Sequence, residues 1–341
     1  MRTEGHPANG NGNGNGNGNG NGRAADRRPL GTLAIGEHFR GTYLLNRVEM
    51  KKARTGKDYL HLEISDPSGA LAGNMFDATP DQYRSIQGLE VVEATGEVQS
   101  FNDRRSARFV EVKPAAGPFN IREFLPRTGK DVRALYSRLI ELLTSIRSPH
   151  IRRLCMGFLE EPGFRERFLE TPAAVTNHHA YLGGLLEHIV SLAGSCEKTC
   201  EAYPSLDRDL MISGAFLHDI GKVDELTVER GLDYSDRGRL HGHIVTGVLW
   251  VEERARRIEG FPAPTLDHLK HLILSHHGEL EWGSPIQPLT AEAIALHTLD
   301  NLDAKLWALE RACNDAKDNG SSWTEWSKLF GRRMFKGAGG A

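Results

Sequence analysis

The sequence predicts an all-β barrel followed by an all-α bundle, and three observations carry that expectation. Between residues 31 and 113, apolar residues alternate with period two in runs separated by turn signals. Beyond residue 130 no alternation of any length appears, and apolar residues recur at helical spacing. Between these regions, Pro114, Gly117, Pro118, Pro126 and Gly129 interrupt both patterns. The expected organisation is a disordered tail at 1–29, a barrel at 30–116, a linker at 117–130, a helical domain at 131–335 and a flexible end at 336–341.

In the tail, residues 9–22 are seven Asn-Gly dipeptides, which tolerate left-handed backbone and bury nothing. The barrel begins with "HFRGTYLLNRVEM", a long β-rich run. "DYLHLEISD" sets Leu60, Leu62 and Ile64 on one face. "DPSG" is a turn by chemistry, and "ALAGNMF" is the third strand. "TPDQYRSI" offers Thr79 as an N-cap and Pro80 as the first helical residue, so a short helix is expected. "LEVVEATGEVQSF" and "ARFVEVKP" supply strands four and five. Strands in the order β-β-β-α-β-β over about 80 residues suggest a small Greek-key barrel of the OB type.

Charges in this domain cluster. Lys51, Lys52, Arg54 and Lys57 gather between strands one and two, and Arg104 and Arg105 between strands four and five. In an OB barrel these loops flank the oligonucleotide groove. Cations beside aromatics such as Tyr59 suit single-stranded nucleic acid, with phosphates on the charges and bases on the rings. Simple loop solvation is the competing reading.

The composition is 39% hydrophobic and 26% charged, with a net charge of −3, so no global polycation announces a nucleic acid. No apolar run approaches the ~18–20 residues that span a bilayer, and no secretory h-region is present, so no membrane partner is expected. The four cysteines lack zinc-type spacing and are expected as reduced thiols in a cytoplasmic protein. A homo-oligomer stays open.

The helical region is rich in histidine. "TNHHAYLGGLLEHIVSLA" holds His178, His179 and His188; "GAFLHDIGK" holds His218 and Asp219; "RLHGHIVTG" holds His243. "LILSHHGELEWGSP" holds His276 and His277, and "ALHTLDNLDAK" holds Asp300 and Asp303. Several of these end apolar runs, where a polar group needs a partner. Imidazoles with carboxylates and no competing thiolate suit a divalent ion. Lys222 follows His218 at (i, i+4), on the same helical face, where its ammonium would neutralise a phosphate oxygen or simply favour a helix C-terminus. Asp303 is read as orienting a ligand or pairing with Lys305 or Arg311. Trp282 is read as a base-stacking or a packing residue.

The ordered set H…HD…D resembles HD-domain metal-dependent phosphohydrolases. The longer motifs "HHAYLGGLLEH", "LHDIGK", "GHI", "LSHHGELEWGSP" and "LHTLDNLDAK", behind an OB-like domain, resemble the YhaM-type 3′–5′ exoribonucleases over residues 30–335. The resemblance implies that His188, His218, Asp219 and Asp300 hold a first metal. It implies a second ion on His243 and His276, with His277 as the alternative, and Asp219 bridging the two. It also places His178 and His179 against the scissile phosphate. Two divalent ions are expected, Mn first, with Fe, Co, Ni, Zn or Mg as alternatives. The implied activity is hydrolysis of single-stranded RNA, or DNA, to nucleoside 5′-monophosphates. Two alternatives stay open: a phosphohydrolase acting on a nucleotide or cyclic dinucleotide, and a non-catalytic RNA-binding protein.

Overall fold

A computed structural model describes residues 27–101, 104–176, 178–229, 231–315 and 321–337. The Asn-Gly repeat lies outside the described residues, as does the side chain of Arg104.

Five strands close a barrel: β1 (His38–Lys52), β2 (Asp58–Asp66), β3 (Gly69–Phe76), β4 (Val91–Phe101) and β5 (Arg104–Pro114), in the spatial order β1-β2-β3-β5-β4. β1 serves two neighbours, pairing β4 over its first half and β2 over its second. A register shift between Leu45 and Arg47 separates the two halves of β1 and bends the strand around the barrel. β3 and β5 close the ring as a short parallel pair. The alternation in β2 holds: Leu60, Leu62 and Ile64 are fully buried, and they pack with Phe39, Tyr43 and Phe109. α1 (Pro80–Ile86) sits between β3 and β4, and Thr79 and Gln82 form a reciprocal capping box at its start.

The second domain is helical: α2 (Val132–Thr144), α3 (Pro149–Glu160), α4 (Phe164–Glu170), α5 (Gly184–Ala202), α6 (Arg208–Leu217), α7 (Lys222–Glu225), α8 (Asp236–Arg256), α9 (Ala263–Ser275) and α10 (Ala291–Asp315). Asp131, Ser148, Asp207 and Ser235 cap α2, α3, α6 and α8 with their side chains. α6 is the central helix. All its residues from Leu210 to Leu217 are buried against α5, α9 and their neighbours. A two-residue hairpin, β6 (Leu226–Thr227) with β7 (Asp233–Tyr234), interrupts the helices. The sequence did not predict it, because two residues per strand are too few to show alternation.

The segment joining the two domains is ordered by packing. A 3-10 turn at Ile121–Phe124 is capped by Asn120. Phe124 and Leu125 are buried with Leu44 and Val91 of the barrel and Leu182 of the helical domain.

Candidate metal centre

The helices deliver their chemistry to one place. α5 contributes His188, the end of α6 His218 and Asp219, α8 His243, the end of α9 His276 and His277, and α10 Asp300. His188 and His218 are completely buried, and Asp219 and His276 nearly so.

Two of the donor groups meet at Asp219, and a third, His179 with His188 and Asp303, lies behind His188. In the first, His188 Nε2 lies 3.2 Å from Asp300 Oδ1 and 3.2 Å from His218 Nε2. His218 Nε2 is in turn 3.2 Å from Asp219 Oδ2. In the second, His243, His276 and His277 present ring nitrogens that lie within 4.8 Å of one another. The nearest of these to Asp219 Oδ1 are His243 Nε2 at 3.4 Å and His276 Nε2 at 3.6 Å. Asp219 thus turns one carboxylate oxygen toward each group. The sequence left His276 and His277 as alternatives; the fold brings both together.

The residues fit a cation on an observation independent of their type. Asp219 Oδ1, His243 Nε2, His276 Nε2 and His277 Nδ1 are buried and have no hydrogen-bond partner among the described residues. Buried polar atoms are seldom left so. Neighbouring contacts fix which imidazole nitrogens carry lone pairs. His218 Nδ1 donates to Ala215 O at 2.9 Å, and His276 Nδ1 donates to Ile273 O at 2.7 Å. Both use a carbonyl freed at a helix C-terminus. His243 Nδ1 donates to Glu225 Oε1 at 3.0 Å. Each contact leaves Nε2 as an acceptor aimed inward, the outer support typical of a metal-bound imidazole. Burial holds His276 neutral by lowering its pKa well below the usual value.

Backbone geometry sets the spacing. Gly221 has an ordinary φ of −67°. A Cβ there would sit 2.1 Å from His243 O, so the glycine is required for α8 to approach. Gly242 takes φ +71° inside α8 and breaks it. His243 therefore starts a fresh helical run, with its backbone N–H on Glu225 Oε1 at 3.0 Å.

His188 is held from behind. Its Nδ1 donates to Asp303 Oδ2 at 3.0 Å, and Ser191 Oγ donates to Asp303 Oδ1 at 2.8 Å. Asp303 thus fixes the His188 ring, as a residue that orients a ligand would. Beyond it, His179 Nε2 lies 3.5 Å from Asp303 Oδ2, and His179 Nδ1 lies 2.6 Å from the Tyr181 hydroxyl. Tyr181 donates to Glu187, which also receives Thr128 and Lys130 from the interdomain segment.

Several expectations change. His179 was expected at the phosphate, yet both its ring nitrogens are engaged behind Asp303. His178 instead places its ring 5.7 Å from that of His188. Burial, with Lys222 nearby, pushes the His178 pKa down to about 4 and keeps it neutral. The helical face expected to carry both His218 and Lys222 is broken, because α6 stops at Leu217 and α7 starts at Lys222. Lys222 Nζ donates to Asp219 Oδ2 at 2.6 Å. Trp282 is 55% exposed, with its ring 6.0 Å from His297, whose Nδ1 donates to His276 O.

On the barrel, Lys51 and Lys52 fall at the end of β1 rather than in a loop. Lys51 pairs with Glu49, Lys52 with Asp58 and Lys57 with Asp77. These solvent-exposed pairs are weak, because water and salt screen them. Arg54 is exposed in the turn. Tyr59 packs at 5.9 Å on Phe76, which is itself exposed. Arg105 is exposed, and its guanidinium donates to the carbonyls of Leu30 and Gly31, anchoring the chain ahead of β1.

The first donor group also has a pH signature. Burial alone would lower the His188 pKa, but Asp300 and Asp303 override it and push it up to about 10. Without a cation, His188 therefore carries a proton at neutral pH. Binding a cation there must displace that proton. Apparent Mn²⁺ affinity is expected to rise about tenfold per pH unit for one displaced proton from pH ~6.5 to ~8. Isothermal titration in buffers of different ionisation enthalpy measures the proton release directly, and a pH-independent affinity contradicts this assignment. The raised pKa stabilises the metal-free fold below pH ~6.5, and that contribution fades as pH rises through about 10.

The helices converge imidazoles and carboxylates, and the HD domain family matches residues 185–305, so the class is that of the metal-dependent phosphohydrolases. Over 280 residues the chain is 33% identical to the 3′-5′ exoribonuclease YhaM of Oceanobacillus iheyensis, covering 82% of this chain and 87% of that protein. It is also 33% identical to the proteins of that name from Bacillus velezensis, over 83% of this chain and 90% of the relative, and Bacillus pumilus, over 84% and 91%. The chain belongs to the YhaM family of 3′–5′ exoribonucleases.

The sequence missed Glu225, Tyr181, Glu187 and Ser191 as supports of the site. Nothing local marks them: Glu225 reaches His243 across 18 residues and an intervening hairpin.

Proposed function

We propose that the chain degrades single-stranded RNA from its 3′ end to nucleoside 5′-monophosphates, in the cytoplasm, using two divalent cations, Mn²⁺ first among them. The observation that carries this reading is the set of buried, unpartnered atoms Asp219 Oδ1, His243 Nε2, His276 Nε2 and His277 Nδ1, beside the close His188–His218–Asp300 group. His188, His218 and Asp300 would hold one cation and His243, His276 and His277 the other, with Asp219 between them. Cations bound there acidify water and offset charge on the phosphoryl oxygens.

The protein's own groups do the rest. Asp303 and Glu225 fix the ring orientations of His188 and His243. Asp219 raises the Lys222 pKa against the effect of burial, so the ammonium stays charged. It stands at the edge of the cluster, where it offsets phosphate charge. Trp282 offers an exposed ring at the rim for a base. The barrel, through Tyr59, Phe76 and the cations Lys51, Lys52, Arg54 and Lys57, would hold the upstream strand, and incoming phosphates can displace the weak pairs there. The names of the relatives support RNA; DNA is the comparison substrate.

A time course on 5′-labelled single-stranded RNA with Mn²⁺ tests this. The expected result is a ladder shortening one nucleotide at a time, with nucleoside 5′-monophosphates released. Hydrolysis confined to mononucleotides or cyclic dinucleotides overturns it.

A further inference from the structure

The last described segment, residues 321–337, forms a small hairpin beyond α10. Trp323 bridges to Phe335 and Ser327 to Arg332, with backbone hydrogen bonds from Thr324 to Met334 O at 2.8 Å and from Lys336 to Ser322 O at 2.8 Å. Its surface is unusual for this protein. Trp323 is 52% exposed, Trp326 64% and Phe335 56%. Trp323 and Phe335 pack edge to face at 5.3 Å, so one side of the hairpin is a rigid aromatic platform.

The charges of the hairpin are one-sided. Lys328, Arg332, Arg333 and Lys336 face a single acid, Glu325, in a chain whose net charge is −3. None of the four side chains makes an ion pair or hydrogen bond among the described residues. Three of the four cations near the barrel's first turn are held by an acid. Unpaired cations interleaved with exposed rings are complementary to a single strand, whose phosphates seek charge and whose bases seek a stacking face.

We propose that hairpin 321–337 is a second binding element for single-stranded RNA, separate from the barrel. Bases stack on Trp326 and on the Trp323–Phe335 platform, and phosphates meet Lys328, Arg332, Arg333 and Lys336. This assignment rests on the nuclease reading for its ligand but not on cleavage for its test. The fit is to a polyanionic strand with free bases, whereas a second copy of this acidic chain supplies no such complement.

Fluorescence anisotropy of a labelled single-stranded oligo(U), with the full chain in EDTA, reads binding without hydrolysis. Trp326→Ala is expected to weaken binding about 5- to 150-fold, the range for losing one base-stacking ring. The double variant Arg332→Gln/Arg333→Gln is expected to lower the salt slope of log K by about 1.4, for two lost phosphate contacts. Both are surface changes, and circular dichroism confirms the fold. Unchanged affinity and salt slope in both variants overturns the proposal. So does a changed sedimentation coefficient with unchanged RNA affinity, which assigns the hairpin to contact between copies. Loss of RNA binding in variants of a chain that proves unable to hydrolyse RNA upholds the hairpin and refutes only the nuclease reading.

Discussion

Asparagine in place of Asp219 is expected to abolish RNA hydrolysis while RNA binding persists. Asp219 is the residue both donor groups share, with Oδ2 facing His218 and Lys222 and Oδ1 facing His243 and His276. The amide keeps the shape and removes the charge. An ion in such a site supplies several kcal/mol of charge stabilisation, and ~4 kcal/mol corresponds to about a 10³-fold loss of rate. The variant also strips Lys222 of its carboxylate, so it is to be compared at a temperature where circular dichroism shows it folded. Removal of phosphate-contacting cations would weaken binding instead; Asp219→Asn removes none. The assay is single-turnover decay of labelled RNA beside anisotropy of the same RNA in EDTA. Cleavage within about tenfold of the parent rate would mean that Asp219 is not the hinge of the site.

Gly221→Ala is expected to unseat α8 and to cost both stability and activity. The added Cβ would stand 2.1 Å from His243 O, 2.8 Å from His243 C and 2.9 Å from Gly247 N, all backbone atoms that cannot rotate away. Overpacking costs typically 1–3 kcal/mol and more when backbone must move. For a domain of this size ~3 kcal/mol lowers Tm by about 6–12 °C. His243 moves with α8, and a displacement near 1 Å in a catalytic constellation costs about 10²-fold. Gly194→Ala is the control, because nothing lies within 4 Å of its added Cβ on α5. Its expected effect is a gain of up to about 1 kcal/mol in a helix interior. Equal melting temperatures for Gly221→Ala and the parent chain would remove the close-approach argument.

Much of the fold was legible because the two domains have different periods. β2 announces itself through Leu60, Leu62 and Ile64, and α1 through Thr79 and Pro80. The candidate donors were legible for a related reason: imidazoles and carboxylates that end apolar helices need partners, and His218–Asp219 and His276–His277 both do so. What stayed hidden depends on approach across space. Nothing in the residues around Gly221 marks it as a spacer for α8. His179 read as a phosphate contact, yet Tyr181 and Asp303 take its ring. The contacts of Arg105 with the carbonyls of Leu30 and Gly31 were equally hidden. Short-range sequence carries charge and period. It does not carry which carbonyl or carboxylate arrives from a segment far along the chain.

The most direct measurement is anomalous scattering at the manganese edge from crystals grown with Mn²⁺. The account predicts two peaks about 3.5–4 Å apart. One lies against His188, His218 and Asp300, the other against His243, His276 and His277, with Asp219 between them. A protein that hydrolyses RNA with no peak at this cluster, or with its metal bound elsewhere, would contradict it.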